Sequence, residues 1–304
     1  MLNHTYSFDD CLNNAIKSAW TVDDCFQDRS FDFSKYFLPD RIAGVSGISC
    51  LNESEKLKLN QIRGNSYCHI FAFVEEYIVA KVLDHAREGV YGDETKLRYL
   101  LQFAGDETKH QAMLKRAMDQ ITDGFGMTCG VIEGREDVAK VVLGKSRLTA
   151  LMLTSLIEWF TQLHYVEHVR DQGDLDPLFL DILKFHWIDE AQHAKADSLL
   201  MDAIAQDMTA AERETAIDEL LELGMAIDGL LAQQVEMDIE ALGTVCKRVF
   251  SDAEKQEIRA SQRQSYRWTF LVSGLEHPKF VQIVSELTSA GVAKIAGAAR
   301  ALAA

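Results

Sequence analysis

The strongest constraint on the fold is a five-residue pattern that occurs twice, Asp-Glu followed by a His three residues after the Glu. It begins at Asp106 and again at Asp189, an offset of 83 residues. The same offset brings Glu75 onto Glu158, and in each half this Glu stands 32 residues before the Glu of the pattern. A helix, a turn and a returning helix bring the chain back to the same height over such a distance. A single Glu-x-x-His run is expected by chance, but four matching segments favour a repeated pair of helices.

The second copy of the pattern carries an additional histidine. His186, Glu190 and His193 stand four and three residues apart, so on an α-helix all three side chains leave the same side. Two imidazoles and a carboxylate are costly to bury without a partner. A bound metal ion suits this mixture of nitrogen and oxygen donors. Dinuclear helical bundles have one Glu on each of two helices and a Glu-x-x-His on each of the other two, as this sequence does.

On these residues the chain resembles the ferritin-like di-iron carboxylate superfamily, and the motifs extend over about residues 65–200. His186 has no counterpart in the first half, where Phe103 holds the matching position. The resulting His-x-x-x-Glu-x-x-His run is similar to that of the arylamine N-oxygenase branch, which is related to p-aminobenzoate N-oxygenase. In that branch a third histidine joins the usual four carboxylates and two histidines. The resemblance implies a dinuclear iron cofactor, with O2 as co-substrate.

The function that we predict is that of a di-iron oxygenase acting on a small organic substrate. The resemblance makes an aromatic amine nitrogen the first expectation and carbon hydroxylation the second, and manganese is the alternative metal. Since the chain has no flavin, nicotinamide or iron–sulfur motif, electrons are expected from an external donor or reductase. We predict no catalytic residue apart from the metal ligands, which are Glu75, Glu107, His110, Glu158, His186, Glu190 and His193.

Composition and helix signals predict an all-α fold, a ferritin-like four-helix bundle with an internal two-helix repeat. The 304 residues include only three prolines, and from position 52 onward they are rich in Ala, Leu, Glu and Lys. We expect a single domain, residues 1–304, with an irregular N-terminal arm at 1–51, a metal-binding core at 52–206 and flanking helices at 207–304. The core helices are predicted near 53–88, 94–122, 136–170 and 177–206, since capping signals precede the first, second and fourth.

Charge and cysteine usage exclude several classes of partner. The net charge of −16 argues against nucleic acid or an anionic membrane surface. No stretch reaches the roughly 20 apolar residues that a membrane-spanning helix needs, and the polar opening residues do not resemble a signal peptide. The six scattered cysteines indicate reduced thiols and a cytoplasmic protein.

The small-residue tail after position 289 is a candidate surface for a homodimer, or a helix end that frays.

Several alternatives remain open at this stage. Glu76 is the alternative to Glu75 as the first metal ligand, because the two acids are adjacent in the same apolar run and an alignment shifted by one residue would select Glu76. Asp106 and Asp189 either bond the second nitrogen of a ligand histidine or face solvent. Gly105 marks either a bulge or close packing beside the metal, or is a tolerated small residue at a helix crossing.

The other open points concern the arm, two histidines and the function class. The N-terminal arm packs on the bundle or covers a substrate entrance. His164 and His168 are expected off the ligand face. The rival functions are a di-metal redox protein without oxygen insertion, such as a ferroxidase or peroxide scavenger, and a metal-free helical scaffold.

Overall fold

The structure is a computed structural model that describes residues 4–304. Over that range the chain is helical and contains no extended β-strand, only an isolated bridge between Tyr36 and Leu175. The predicted all-α class is therefore confirmed. In chain order the helices are α1 Phe8–Lys17, α2 Val22–Phe26, α3 Asp40–Ala43, α4 Glu53–Gly89, α5 Glu94–Phe125, α6 Arg135–Leu143, α7 Arg147–Leu163, α8 Pro177–Gln206, α9 Ala210–Cys246, α10 Asp252–Arg267, α11 Ser273–Leu275, α12 Pro278–Leu287 and α13 Gly291–Ala303.

The long helices α4, α5, α7 and α8 form the predicted bundle with its two-helix repeat. Helix α4 packs along α5, α7 packs along α8, and α5 contacts α8 between the pairs. Three of the four begin where the sequence signals place them. Asn52 forms a capping box with Glu55, Asp93 accepts a hydrogen bond from the Lys96 amide, and Asp176 caps α8 ahead of a proline in its first turn. These side-chain caps satisfy amide groups that a helix start leaves without partners.

The prediction of one helix near 136–170 is wrong. The chain forms α6, breaks at Gly144, and begins α7 after Ser146, whose hydroxyl accepts a hydrogen bond from the Thr149 amide. Helix α7 then continues into a π-helical turn, His164–Val169. A side-chain cap inside an apparently continuous apolar pattern competes with helix propagation, which explains the break.

The N-terminal arm is more regular than expected, since α1 is a ten-residue amphipathic helix that starts with a capping box at Ser7. Helices α1 and α2 pack on the face of the bundle formed by α5 and α8. Helix α9 covers the opposite pair, α4 and α7, and α10 to α13 pack beyond it, so the bundle is enclosed by the arm and the flanking helices. No helix within residues 4–304 is long and apolar enough to cross a membrane.

Gly105 is predicted to be replaceable by Ala with a gain in stability. It lies inside regular helix α5, and a Cβ added to it would meet nothing within 4 Å. Neither a bulge nor close packing therefore explains it. The Gly105→Ala variant should raise the free energy of unfolding by about 1 kcal/mol, because Gly is disfavoured in a helix interior. Urea denaturation measures this gain, and unchanged metal content shows that the effect is confined to the helix.

Candidate metal centre

The four core helices bring all seven predicted donors into the interior of the bundle. Each is at most 3% exposed to solvent. Among the described residues their ligand atoms form two groups, and within each group the atoms lie within 4.8 Å of one another. Glu190 belongs to both groups. The first group is Glu75, His110, His186 and Glu190, and the second is Glu107, Glu158, Glu190 and His193.

The two oxygens of Glu190 face different groups. Its Oε1 lies 2.8 Å from His186 Nε2 and 3.3 Å from His110 Nδ1. Its Oε2 lies 3.4 Å from His193 Nδ1, which in turn is 3.0 Å from Glu107 Oε1. A carboxylate with one oxygen toward each group is placed to bridge two metal ions.

The buried donors lack the partners that such atoms normally have. No carboxylate oxygen of Glu75, Glu107 or Glu158 has a hydrogen bond of good geometry from a described residue. His110 Nδ1 and His186 Nε2 also lack such a bond, although both nitrogens lie close to Glu190 Oε1. Leaving one buried polar group unpaired costs about 1–3 kcal/mol, so a cluster of them requires an external partner. Carboxylate and imidazole donors suit iron and manganese. The arrangement therefore fits the dinuclear cofactor expected from the sequence.

Electrostatics within the cluster leads to the same conclusion. Burial raises the pKa of Glu75 well above its ordinary value, and the neighbouring Glu107 raises it further. Burial also opposes ionisation of Glu190, but His193 and His110 outweigh it and hold the pKa of Glu190 at about 2. The carboxylates in turn raise the pKa of His110 and of His193 against the effect of burial. The buried carboxylates thus require positive charge, which metal cations supply.

The aspartates that precede each Glu-x-x-His glutamate support histidines of the opposite half. Asp189 Oδ2 lies 3.0 Å from His110 Nε2, and Asp106 Oδ2 lies 3.7 Å from His193 Nε2. Lys109 joins the two carboxylates, with its Nζ 2.8 Å from an oxygen of each. Both aspartates are 3% exposed, so the solvent-facing alternative is wrong. In both histidines the Nε2 faces an aspartate and the Nδ1 faces carboxylates of the donor groups.

Phe103 shows why the two halves differ at one donor position. It occupies the place that His186 has in the second half, and it is fully buried. Its ring stacks on His193, with centroids 3.7 Å apart and an interplanar angle of 13°. The first half therefore uses this position to orient a histidine, whereas the second half presents a further imidazole to the cluster.

Trp20 is a residue near the centre that sequence reasoning missed. Its Nε1 donates to Asp189 Oδ2 at 2.8 Å, and its ring stacks over His110 with centroids 6.0 Å apart. Lys109 Nζ lies 4.2 Å from the Trp20 ring centroid. The arm thus packs against the support of a ligand histidine. The only signal in the sequence was a tryptophan between two short polar segments, which does not specify a contact.

The Trp20→Phe variant is expected to weaken metal binding about tenfold, because groups that orient a metal ligand typically contribute this much or more to affinity. It removes the hydrogen bond to Asp189 and keeps an aromatic ring in place. Competition with a chromophoric chelator measures the affinity. The matched control is Trp187→Phe, since the Trp187 indole nitrogen is buried and bonds to none of the described residues. Equal losses in the two variants would contradict the role assigned to Trp20.

Glu75 and Glu76 differ sharply in their surroundings. Glu75 points into the cluster, whereas Glu76 is half-buried and lies 3.0 Å from Arg135 Nη1 and 3.8 Å from Lys115 Nζ. We predict that Glu75→Ala lowers metal content from two ions per chain to about one, because it removes a donor from one group only. Glu76→Ala should leave the content unchanged. Elemental analysis of both variants decides between them, and loss of metal in Glu76→Ala would reverse the assignment.

The remaining polar residues of the core lie outside the donor groups. His164 is buried and bonds to the Ser273 hydroxyl, and burial lowers its pKa to about 3. His168 is half-buried beside Trp268. Both therefore lie off the ligand face. Thr154 donates to the Ala150 carbonyl oxygen, and Gln162 is half-buried and donates to the Trp187 carbonyl oxygen.

A buried ion pair beside the cluster was also missed. Lys81 Nζ lies 3.2 Å from each carboxylate oxygen of Asp197, and the two residues are 4% and 0% exposed. Burial raises the pKa of Asp197 to about 6 even though Lys81 opposes the shift. Asp197 follows His193 by one helical turn, and the charge of nearby Glu107 affects both members of the pair. Lys81 and Asp197 thus form a buried ion pair one helical turn beyond His193, and burial lowers the pKa of Lys81.

One protein family and several solved structures are similar to this chain. The family described as p-aminobenzoate N-oxygenase AurF matches residues 20–269, and no curated protein matches the chain. A variant of R2-like ligand-binding oxidase with an anaerobically reconstituted Mn/Fe cofactor has 16% identity, a TM-score of 0.48, and coverage of 88% of this chain and 94% of its own. The oxidase with an aerobically reconstituted Mn/Fe cofactor has 16% identity and a TM-score of 0.46, and the match covers 88% of this chain and 93% of the oxidase. The family match, which spans most of the sequence, shows that the chain belongs to the p-aminobenzoate N-oxygenase AurF family.

Proposed function

We propose that this protein is a non-haem di-iron oxygenase that transfers one oxygen atom from O2 to the nitrogen of a small aromatic amine. The observation that carries the proposal is the pair of buried donor groups that share Glu190. Membership of the p-aminobenzoate N-oxygenase family supports nitrogen as the site of oxidation. Iron is preferred to manganese as the resident metal on the same ground.

In this proposal the seven donors hold two iron ions, which supply the redox chemistry that activates O2 when bound. Glu190, which directs one oxygen toward each donor group, would help to hold both ions. Asp106 and Asp189 fix the orientation of His193 and His110, and Lys109 holds these aspartates charged and in place. The bundle and its covering helices exclude bulk water from the cluster, since every donor is at most 3% exposed.

The overall reaction balances with an external reductant. An amine R–NH2 and O2, with two electrons and two protons, give R–NHOH and water. One oxygen atom forms the new N–O bond, and the other leaves as water. We propose that a separate donor or reductase provides the electrons. The same proposal includes a single domain with a core at 52–206. It also includes a cytoplasmic location and a homodimer formed through α13.

The rival functions make different predictions. A metal-free scaffold does not account for carboxylate oxygens that are buried without hydrogen-bond partners. A ferroxidase or peroxide scavenger needs the same metals but leaves no oxygen in an organic product. The purified protein should therefore be loaded anaerobically with ferrous iron and analysed for metal content, with two ions per chain expected.

A single turnover then tests oxygen insertion. The iron-loaded protein is mixed with an aromatic amine and isotopically heavy O2, and the product is analysed by mass spectrometry. One heavy oxygen atom in a hydroxylamine product is the expected result. Fewer than two metal ions per chain would contradict the dinuclear site. Consumption of O2 without a labelled product, for any amine tested, would favour the redox rival.

A further inference from the structure

A surface cleft lies between α3, α10 and α13, and none of the seven metal donors lines it. Its volume is about 470 Å³, within the range of roughly 300–1,000 Å³ that small-molecule sites occupy in proteins. Its wall includes the Trp268 ring and the polar side chains of Ser261 and Gln264. Arg41 also lines it, and a Cβ added to Gly47 would meet nothing within 4 Å. The cleft therefore has room for a ligand of cofactor size.

The cleft offers a positive charge beside an aromatic wall. The Arg41 guanidinium lies over the Trp268 ring, with 4.0 Å between its central carbon and the ring centroid, and this stacking restricts its orientation. Asp40 accepts hydrogen bonds from the amides of Val45 and Ser46. Within residues 4–304 no carboxylate forms an ion pair with Arg41. Its planar N–H groups are therefore suited to bind an oxyanion such as a phosphate.

A row of packed rings joins this cleft to the metal centre. Trp268 stacks on His164 with centroids 5.3 Å apart, and His164 stacks on Phe160 at 5.1 Å. Phe160 meets Phe71 at 6.0 Å, and Phe71 stands edge-on to the donor His186 at 4.8 Å. Trp268 is half-buried and lines the cleft, whereas the other four rings are at most 2% exposed. The row thus begins at the cleft and ends at a metal donor.

The outer end of this row is built from two π-helical turns. His164 begins the turn His164–Val169, and Trp268 begins a second turn, Trp268–Val272, between α10 and α11. His168 of the first turn also contacts Trp268, with centroids 5.3 Å apart. Such turns are rare in proteins and occur frequently at functional sites. Their meeting beside the cleft supports a function for this region beyond packing.

The proposed reaction determines which ligand would use such a row. It consumes two electrons and two protons for each O2, and iron ions accept electrons one at a time. A nicotinamide gives up a hydride, whereas a flavin also releases its electrons singly. The balance is exact for a fully reduced flavin, FlH2. An amine R–NH2, O2 and FlH2 give R–NHOH, water and the oxidised flavin.

We infer that the cleft between α3, α10 and α13 binds a diffusible reduced flavin mononucleotide (FMN), whose phosphate Arg41 binds and whose electrons pass through the row of rings to the metal centre. The inference rests on the proposed function for the electron transfer but not for the binding. The electrons tunnel through the packed rings, so no phenylalanine is oxidised or reduced. The two electrons leave the flavin oxidised and return two ferric ions to the ferrous state.

Flavin binding is tested first on the metal-free protein. Oxidised FMN is titrated with the protein, and saturable quenching of flavin fluorescence is expected. Gly47→Trp should abolish the quenching, because the new side chain occupies the open side of the cleft. The matched control is Gly173→Trp, since Gly173 also faces open space but lies outside the lining. Absence of saturable binding in the parent protein, or unchanged binding in Gly47→Trp, would overturn the inference.

Arg41→Met tests the phosphate contact separately. It should weaken FMN binding about 10- to 100-fold, since hydrogen bonds to a charged group contribute that much. Riboflavin has the same ring system without the phosphate, so its binding should not change. Equal effects on the two flavins would refute the contact with Arg41. This variant also serves as a second measure of the site if Gly47→Trp does not fold.

Electron delivery is then measured without O2 or substrate. The ferric protein is mixed with reduced FMN in a stopped-flow instrument, and loss of the ferric absorbance is followed. In Gly173→Trp the rate should saturate with flavin concentration, and in Gly47→Trp that saturation should be lost. Reduction by dithionite should be equal in both variants. Equal, saturating rates with FMN in both would overturn the assigned donor.

Failure of this inference and failure of the proposed function give different results. A protein that binds two iron ions and inserts oxygen with another reductant, but does not bind FMN, would retain the proposed function and lose the inferred donor. A protein that binds FMN in the cleft but holds no iron would lose the proposed function instead.

Discussion

Glu190→Ala should eliminate both metal positions at once, lowering metal content from two ions per chain to nearly none. The reason is that Glu190 alone belongs to both donor groups and directs one oxygen toward each. Saturating metal should stabilise the parent protein by about 4 kcal/mol at a thousandfold excess over the dissociation constant, and this gain should vanish in the variant. Elemental analysis and thermal unfolding with and without ferrous iron measure the two effects.

Two further substitutions make that result specific. Glu158 belongs to the second group only, so Glu158→Ala should leave about one ion bound. Glu167 is exposed in the π-helical turn after α7, and Glu167→Ala should behave like the parent protein. If Glu190→Ala retained one ion, the shared role of this carboxylate would be refuted, and Glu107 would become the better candidate for a bridge.

Lys81→Met should lower the free energy of unfolding by about 3–5 kcal/mol, because it leaves a buried carboxylate without its cation. Asp197 is fully buried, and both of its oxygens lie 3.2 Å from Lys81 Nζ. Met fills nearly the same volume, so lost packing contributes little. Urea denaturation of the metal-free proteins measures the change without a contribution from metal binding.

The loss should depend on pH in a defined direction. Burial raises the pKa of Asp197 to about 6, and Lys81 opposes that shift, so removing Lys81 raises the pKa further. Below that pKa the carboxyl is protonated in the folded variant, and no buried charge remains unpaired. The destabilisation should therefore be smaller at about pH 5 than at about pH 8. The double variant, Lys81→Met with Asp197→Leu, should recover most of the free energy of unfolding that Lys81→Met loses. Equal losses at both pH values would contradict this account.

Local spacing explains why the seven candidate donors could be predicted to lie together. Offsets of three and four residues fix which side of a helix a side chain leaves, and this relation holds whatever the rest of the chain does. The 32-residue interval within each half likewise brings α4 beside α5 and α7 beside α8. Choosing Glu75 over Glu76 depended on the repeat, and the structure places only Glu75 inside the cluster.

Contacts between distant segments could not be predicted in this way. The bond from Trp20 to Asp189 joins residues 169 positions apart, and the pair of Lys81 and Asp197 spans 116 positions. No periodic pattern specifies either contact. The break at Gly144 was hidden because apolar residues continue on both sides of it. The two halves also differ at the end of α7, where the π-helical turn His164–Val169 has no equivalent in the regular helix α4.

The crossed support of the ligand histidines has a consequence for the whole bundle. Asp189 on α8 orients His110 on α5, and Asp106 on α5 faces His193 on α8. Neither repeat can therefore fix its own imidazole, although each contains a complete copy of the motif. If the chain were cut between the repeats, each fragment would keep its Glu-x-x-His and lose the carboxylate that orients it. Two identical first halves paired as a dimer would regain that orientation but not the third imidazole, because Phe103 replaces it.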